Sequence, residues 1–322
     1  MARFVIVGPG AIGGVIGAQL ARASVETVLI ARGEHAAALQ KTGLQLQHGD
    51  ETEIFVVPTV TRPDEIAWRH DDVVILAVKS QDTEPALRSL ALVAAPSTSI
   101  VCAQNGVDNE RAAQRYFETV YGCVVMMPAA HLEPGVVQAH SWPVPGLLDV
   151  GRYPSGADAG AEEIVATFNR AGFNCVVRED VMRWKYTKLL MNLANSVIAL
   201  CGSGGDDSAE LRRSVRDEGE AVLKAAGIDY ASREEDLERR ADIMTIVPIG
   251  GMYRTGGSSW QSLARGTGAI ETDWLNGEIV ALGRRHSVPT PVNAVLQRAA
   301  NQAARDGLPP ESIPASEILA SL

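Results

Sequence analysis

Residues 3–23 read RFVIVGPGAIGGVIGAQLARA, and this stretch decides the fold. Residues 3–7 read as a short buried strand, apolar from Phe4 on, and Gly8, Gly10 and Gly13 then break it at Gly-x-Gly-x-x-Gly spacing. Small and apolar residues continue through Leu20 and Ala23 at a helical period, so strand, glycine turn and helix arrive in that order. In such a turn the first glycine permits the tight bend, the second lets the backbone approach a pyrophosphate, and the third lets helix and strand pack closely. The unpaired N–H groups of the helix start then face the anion. Taken alone the spacing is weak, because glycine turns without a ligand are common; its place between strand and helix gives it weight. Gly8, Gly10, Ala11, Ile12 and Gly13 are the expected dinucleotide contacts.

Outward from this unit, residues 28–31 and the β-branched run 73–78 read as further strands, and 99–103 and 120–126 continue the series. Helical stretches such as 83–92 lie between them. Continuous apolar strands alternating with helices predict an α/β fold, a Rossmann-type, doubly wound and mostly parallel sheet. Turn residues at His48-Gly49-Asp50, and again within 137–148, predict two hairpins appended to that sheet. After 175–177 the strand signal stops, and the text is helical to the end, with breaks at 202–205, 247–257 and 288–291. The expected organisation is a Rossmann-type dinucleotide-binding domain over 1–177 and an all-helical substrate and catalytic domain over 178–322.

The 322 residues suit two medium domains, and 46% hydrophobic with 21% charged content is that of a globular protein. A formal net charge of −10 argues against nucleic-acid binding, which needs a basic surface. Cys102, Cys123, Cys175 and Cys201 form no Cys-x-x-Cys pair or Cys/His cluster, so neither a metal site nor a disulfide framework is expected. The chain enters its first strand pattern without a charged leader, and no apolar run approaches the ~18 residues of a membrane span. A cytoplasmic protein without membrane or nucleic-acid partners is the expectation, with a homodimer as the oligomeric option.

Domains of this type that prefer NAD carry an acidic residue after the second strand, to hold the ribose 2′-hydroxyl. This chain has Arg32 there, whose planar fork of donors suits the 2′-phosphate of NADP. A solvated arginine at a loop start is the alternative, and Glu34 nearby keeps it open.

The chain resembles the ketopantoate reductase family, the 2-dehydropantoate 2-reductases, over nearly its whole length. The resemblance rests on Gly8-Pro9-Gly10-Ala11-Ile12-Gly13, Ala77-Val78-Lys79-Ser80, Gln104-Asn105-Gly106 and Lys188-Leu189-Leu190-Met191-Asn192. It extends to Ser258-Ser259-Trp260-Gln261, followed by Ile270-Glu271-Thr272-Asp273. The family implies NADPH-dependent reduction of a small 2-keto acid, ketopantoate to pantoate, in a cleft between a Rossmann domain and a helical domain. By that resemblance Lys188 is the catalytic lysine that polarises and protonates the ketone oxygen, and Glu271 supports it. Asn192 contacts the substrate, Ser259 holds its carboxylate, and Lys79 and Asn105 line the nicotinamide and its ribose. Where the family has a second asparagine eight positions after the lysine, this chain has Ser196, with Asn195 one residue earlier; where some members have a substrate asparagine, it has Gly256.

Read from chemistry alone, Lys188, Asn192 and Asn195 fall at i, i+4 and i+7 and share one face of a helix. That makes Asn195 a further expected substrate contact. Lys185 lies on the same stripe and is expected to be dispensable for turnover, while a solvated role remains open for Lys188 itself. Ser258-Ser259 are equally readable as a helix N-cap, and Glu271 as a residue complementing a helix dipole. His131 and His140 are read as structural. Two other functions stand beside the leading one: an NADP-linked dehydrogenase of a related hydroxy acid, and a non-catalytic dinucleotide sensor.

Overall fold

The computed structural model describes residues 2–322 and divides into two compact units. The first holds the chain up to Lys185 together with Arg233–Arg254; the second holds Tyr186–Ser232 and Thr255–Leu322. The sequence boundary near residue 177 thus lies before the point where the compact units divide, which is inside a helix, and a later segment returns to the first unit.

The first unit opens with β1 (Phe4–Val7), α1 (Ala11–Arg22), β2 (Thr27–Ile30) and α2 (Gly33–Thr42). Five strands follow: β3 (Leu44–His48), β4 (Glu51–Phe55), β5 (Thr59–Val60), β6 (Val73–Leu76) and β7 (Ser99–Cys102), with α3 (Thr83–Ala91) between the last two. Then come α4 (Asn109–Ala113), β8 (Thr119–Met126), β9 (Ala129–Ala130), β10 (Val136–Ala139), β11 (Leu147–Arg152) and α5 (Ala159–Arg170). Helix α6 (Val181–Asn192) starts in this unit and ends in the other.

Seven strands form one sheet in the order β11-β8-β7-β6-β1-β2-β5, parallel throughout except for β11 against β8. Phe4 and Ile6 pack into one apolar layer, with Val15, Leu20 and Phe168, while Val5 and Val7 pack into another, with Leu87 and Leu90. Both faces are covered, which is why β1 reads as an unbroken apolar run instead of alternating with polar residues. Gly13 lets α1 lie on the sheet, since a Cβ there would stand 2.5 Å from the Gly8 carbonyl oxygen and 3.0 Å from Ile6 Cγ2.

Of the two expected hairpins, β3–β4 forms as an antiparallel pair. The second does not: β10 joins β3 and β9 in a separate four-stranded sheet, whereas β11 pairs with β8 in the large one. The apolar run of β11 finds a longer partner in β8 than the short β10 offers, six paired residues from Leu147 to Arg152.

The second unit is helical: α7 (Ala194–Cys201), α8 (Asp206–Ala226), then, after α9 (Arg233–Arg240) of the first unit, α10 (Ser258–Ala264), α11 (Asn276–His286), α12 (Pro291–Arg305) and α13 (Ala315–Ala320). Helix α8 crosses closely at Gly219, where a Cβ would meet Leu190 and Leu193 side-chain carbons at 2.7 Å. A buried polar network ties the helices together: Ser196 donates to Asn276 (2.6 Å), Asn276 to Asn293 (3.0 Å), and Asn293 to Glu218 (2.8 Å).

Candidate active site

Strands β2, β1, β6 and β7 end level, because Ile30 pairs with Val7, Val7 with Leu76, and Leu76 with Cys102. The loops leaving these ends carry Arg32, the Gly8–Gly13 turn, Lys79 and Asn105, so the first unit brings all the expected cofactor contacts to one edge of its sheet. Ligands of open parallel sheets bind beyond this edge. Gly8 has φ +85°, and a Cβ on it would lie 2.7 Å from Val78 Cγ1, so only glycine makes this bend. At Gly10, the N-cap of α1, an added Cβ meets only the His131 ring, at 3.8 Å. The turn is therefore tight beneath and open above, a cradle that a side chain at Gly10 would fill, and it fits a dinucleotide pyrophosphate against the start of α1. Arg32 is exposed and forms no ion pair among the described residues, leaving its guanidinium available to a phosphate.

Further residues, none of them among the expected ligand contacts, shape this edge. Gln104 donates from Nε2 to the Val78 carbonyl and to Thr83 Oγ1, both at 2.8 Å, and Asn109 donates to the Asn105 carbonyl at 2.9 Å. These bonds stitch the Lys79 loop to the Asn105 loop. His35 donates from Nε2 to the Pro9 carbonyl (2.8 Å) and accepts at Nδ1 from the Gly135 N–H (2.9 Å), which fixes its tautomer and braces the glycine turn. Burial pulls its pKa down, in keeping with a neutral ring. His131 packs on His35 with ring centroids 4.3 Å apart. Its place beside Gly10 follows from β-strand pairing far along the chain, a signal absent from local sequence.

In the second unit, α6 stops at Asn192 and α7 begins at Ala194, so the expected single helix through Asn195 is two. The polar stripe survives the break, because Asn195 donates from Nδ2 to Asn192 Oδ1 at 3.4 Å. Asn195 Oδ1 also lies 3.0 Å from where Gly257 would carry a Cβ, which brings the asparagines to the start of α10. There Ser258 and Ser259 are not caps: Gly257 is the N-cap and no side chain caps the helix. Ser259 is 1% exposed, and the hydroxyls of Ser258 and Ser259 and the Nδ2 of Asn192 are buried without hydrogen-bond partners. Such groups cost about 1–3 kcal/mol each unless something else binds them. Glu271 is buried at the first position of a short 3-10 turn, Glu271–Trp274, and Lys188 is half-buried on α6. Neither departure from the family pattern opens the site: Ser196 is absorbed in the buried network, and a Cβ on Gly256 would strike Trp260 at 2.2 Å.

Lys185 shares the helix of Lys188 but not its half-buried setting. It is buried, donates to the Gln104 carbonyl at 3.1 Å, and forms an ion pair with Glu110, which is 0% exposed. Burial pushes the Glu110 pKa up, against the opposing pull of Lys185.

Residues 4–155 match the family model described as ketopantoate reductase PanE/ApbA, and residues 180–304 match the model of its C-terminal part. The chain is 30% identical over 301 residues to a 2-dehydropantoate 2-reductase of Pyrococcus horikoshii, covering 91% of this chain and 95% of that one. A second 2-dehydropantoate 2-reductase, from Aquifex aeolicus, is 30% identical over 307 residues, with 92% and 95% covered. Among solved structures, a PanE/ApbA family ketopantoate reductase from Ralstonia eutropha superposes with TM-score 0.79 at 29% identity, covering 95% of this chain and 99% of the other.

Proposed function

The chain belongs to the ketopantoate reductase family, and from that membership we propose how its own residues carry out the reduction of 2-dehydropantoate to pantoate. It is an NADP-dependent oxidoreductase acting on the CH–OH group. NADPH, when bound, supplies the hydride that reaches the ketone carbon. Gly8, Gly10, Ala11, Ile12 and Gly13 hold its pyrophosphate through the backbone, Arg32 takes the 2′-phosphate through its donor fork, and Lys79 and Asn105 line the nicotinamide end. Ser259 and Asn192 bind the keto acid, and Asn195 orients Asn192 by the hydrogen bond it donates to Asn192 Oδ1. Lys188 holds a proton at the ketone oxygen and releases it there as negative charge develops, and Glu271 sets the position and charge of that lysine.

The observation that carries this reading is that the Ser259 hydroxyl and the Asn192 Nδ2 are both buried without hydrogen-bond partners, two donors suited to a carboxylate and its neighbouring oxygen. No helix of the described residues is long and apolar enough to cross a membrane, and all four cysteines are free, which supports a reducing, cytoplasmic setting. A homodimer is the proposed assembly, to be checked by light scattering. The function itself is tested by following NADPH absorbance with ketopantoate and a panel of branched 2-keto acids. Highest kcat/KM on ketopantoate is expected; turnover of another acid in its place would redirect the substrate, and no turnover of any would remove the reductase reading.

A further inference from the structure

The segment Arg233–Arg254, which returns to the first unit, brings there a cation that no carboxylate among the described residues neutralises. Ile246 bridges to Ser141, the Trp142 N–H donates to the Thr245 carbonyl (3.0 Å), and the Val247 N–H donates to the His140 carbonyl (3.0 Å). A tight turn through Gly250 and Gly251, both at positive φ, pairs Ile249 with Met252 and leads to Arg254. Arg254 Nε is buried without a hydrogen-bond partner, and among the described residues no carboxylate pairs with this side chain. His140 is 4% exposed, and its Nδ1 is likewise buried and unpartnered.

The two side chains feel each other. Burial lowers the His140 pKa first, and the Arg254 charge lowers it further, against a backbone contact at Val247. Burial alone pulls the Arg254 guanidinium below its ordinary value. Arg254 is half-buried with its Nε fully enclosed, and buried unsatisfied donors in a native protein call for a ligand or ion that completes them. The same segment leaves large apolar side chains in solvent: Met252 is 73% exposed, Tyr253 67% and Ile246 52%.

We propose that Arg254 and His140 form an anion site for the carboxylate of a small organic acid with an apolar body. The guanidinium offers a carboxylate two parallel donors, the imidazole a third, and Ile246, Met252 and Tyr253 offer the apolar surface that an inorganic anion would not use. The proposal uses neither Ser259 nor Asn192 and does not rest on the contacts assigned to them. The carboxylate has two sources, the keto acid itself or a second acid acting as effector, and kinetics distinguish them.

The full chain is titrated calorimetrically with acetate, isovalerate and sulfate, none of which the enzyme can reduce. Isovalerate is expected to bind most tightly, with its affinity falling roughly tenfold or more in Arg254→Gln and in His140→Asn, and partly restored in Arg254→Lys. Without anion, Arg254→Gln is expected to melt no lower than the parent, since the substitution removes a charge with no protein partner; a merely structural arginine would lower Tm. Competitive inhibition of ketopantoate reduction by isovalerate assigns the site to the keto acid, and noncompetitive inhibition assigns it to an effector. Isovalerate affinity unchanged in Arg254→Gln, or binding of sulfate but of neither carboxylate, overturns the proposal. Turnover of ketopantoate by the parent is measured in the same samples, so failure of the reductase reading shows separately, as absent turnover.

Discussion

Lys188→Ala is expected to lower kcat by about two to four orders of magnitude, the scale for loss of a general acid, with NADPH affinity unchanged. Stopped-flow NADPH oxidation and cofactor titration check the two halves; an unaltered kcat would return Lys188 to a solvated role. Ser259→Ala tests a different contact. Its hydroxyl has no protein partner, so the variant should keep the parent Tm, while KM for the keto acid rises by the ~1.5–3 kcal/mol of a hydrogen bond to a charged group. A lowered Tm with unchanged KM would identify it as structural. At this scale the sequence was informative about residue identity, because Lys188, Asn192, Ser259 and Glu271 stand in recognisable spacing. It was silent on satisfaction: whether Ser259 caps a helix or waits for a ligand depends on where Gly257 places the start of α10.

Helix α6 shows how one element gives two lysines opposite environments. Lys185 is buried against Glu110 and the Gln104 carbonyl, whereas Lys188, three residues on, is half-buried. Removing one partner of a buried ion pair leaves the other uncompensated, so Lys185→Met should cost about 3–5 kcal/mol near neutral pH. The sign of its pH dependence follows from Glu110. Burial raises its pKa above the ordinary carboxylate value, so the folded protein holds that proton more tightly than the unfolded chain. Stability is therefore lost as pH rises from the ordinary value through the raised one, and Lys185→Met moves the upper limit higher. Denaturation of Lys185→Met across pH should show the deficit shrinking toward acid, and Glu110→Gln added to it should recover much of the loss at neutral pH. A pH-independent deficit would show that packing, not charge, is what Lys185 supplies.

For the whole molecule, cofactor binding to the folded state alone raises stability by about 2.7 kcal/mol at a hundredfold excess over Kd. Thermal melts should rise more with NADPH than with NADH, and Arg32→Asp should reverse that order, since an acidic side chain repels the 2′-phosphate and accepts from a ribose hydroxyl. Equal shifts from both cofactors in the parent would remove the role given to Arg32. Ser259→Ala should keep the full NADPH shift, which separates cofactor binding from acid binding.

Local sequence determined whatever depends on near neighbours: the βα order at residues 3–23, the glycine turn, the apolar strands of a sheet covered on both faces, and the helical register of the Lys188 stripe. Each of these follows from backbone sterics or from a hydrophobic period a few residues long. Tertiary structure alone decided that β10 and β11 part into different sheets, that Lys185 meets Glu110 across 75 residues of sequence, and that Arg233–Arg254 returns to the first unit. It also decided that Val247, seven residues before Arg254, hydrogen-bonds to the His140 carbonyl. Pairing and burial at such separations are set by which surfaces remain uncovered once the local elements have formed, and no short window of sequence carries that sum.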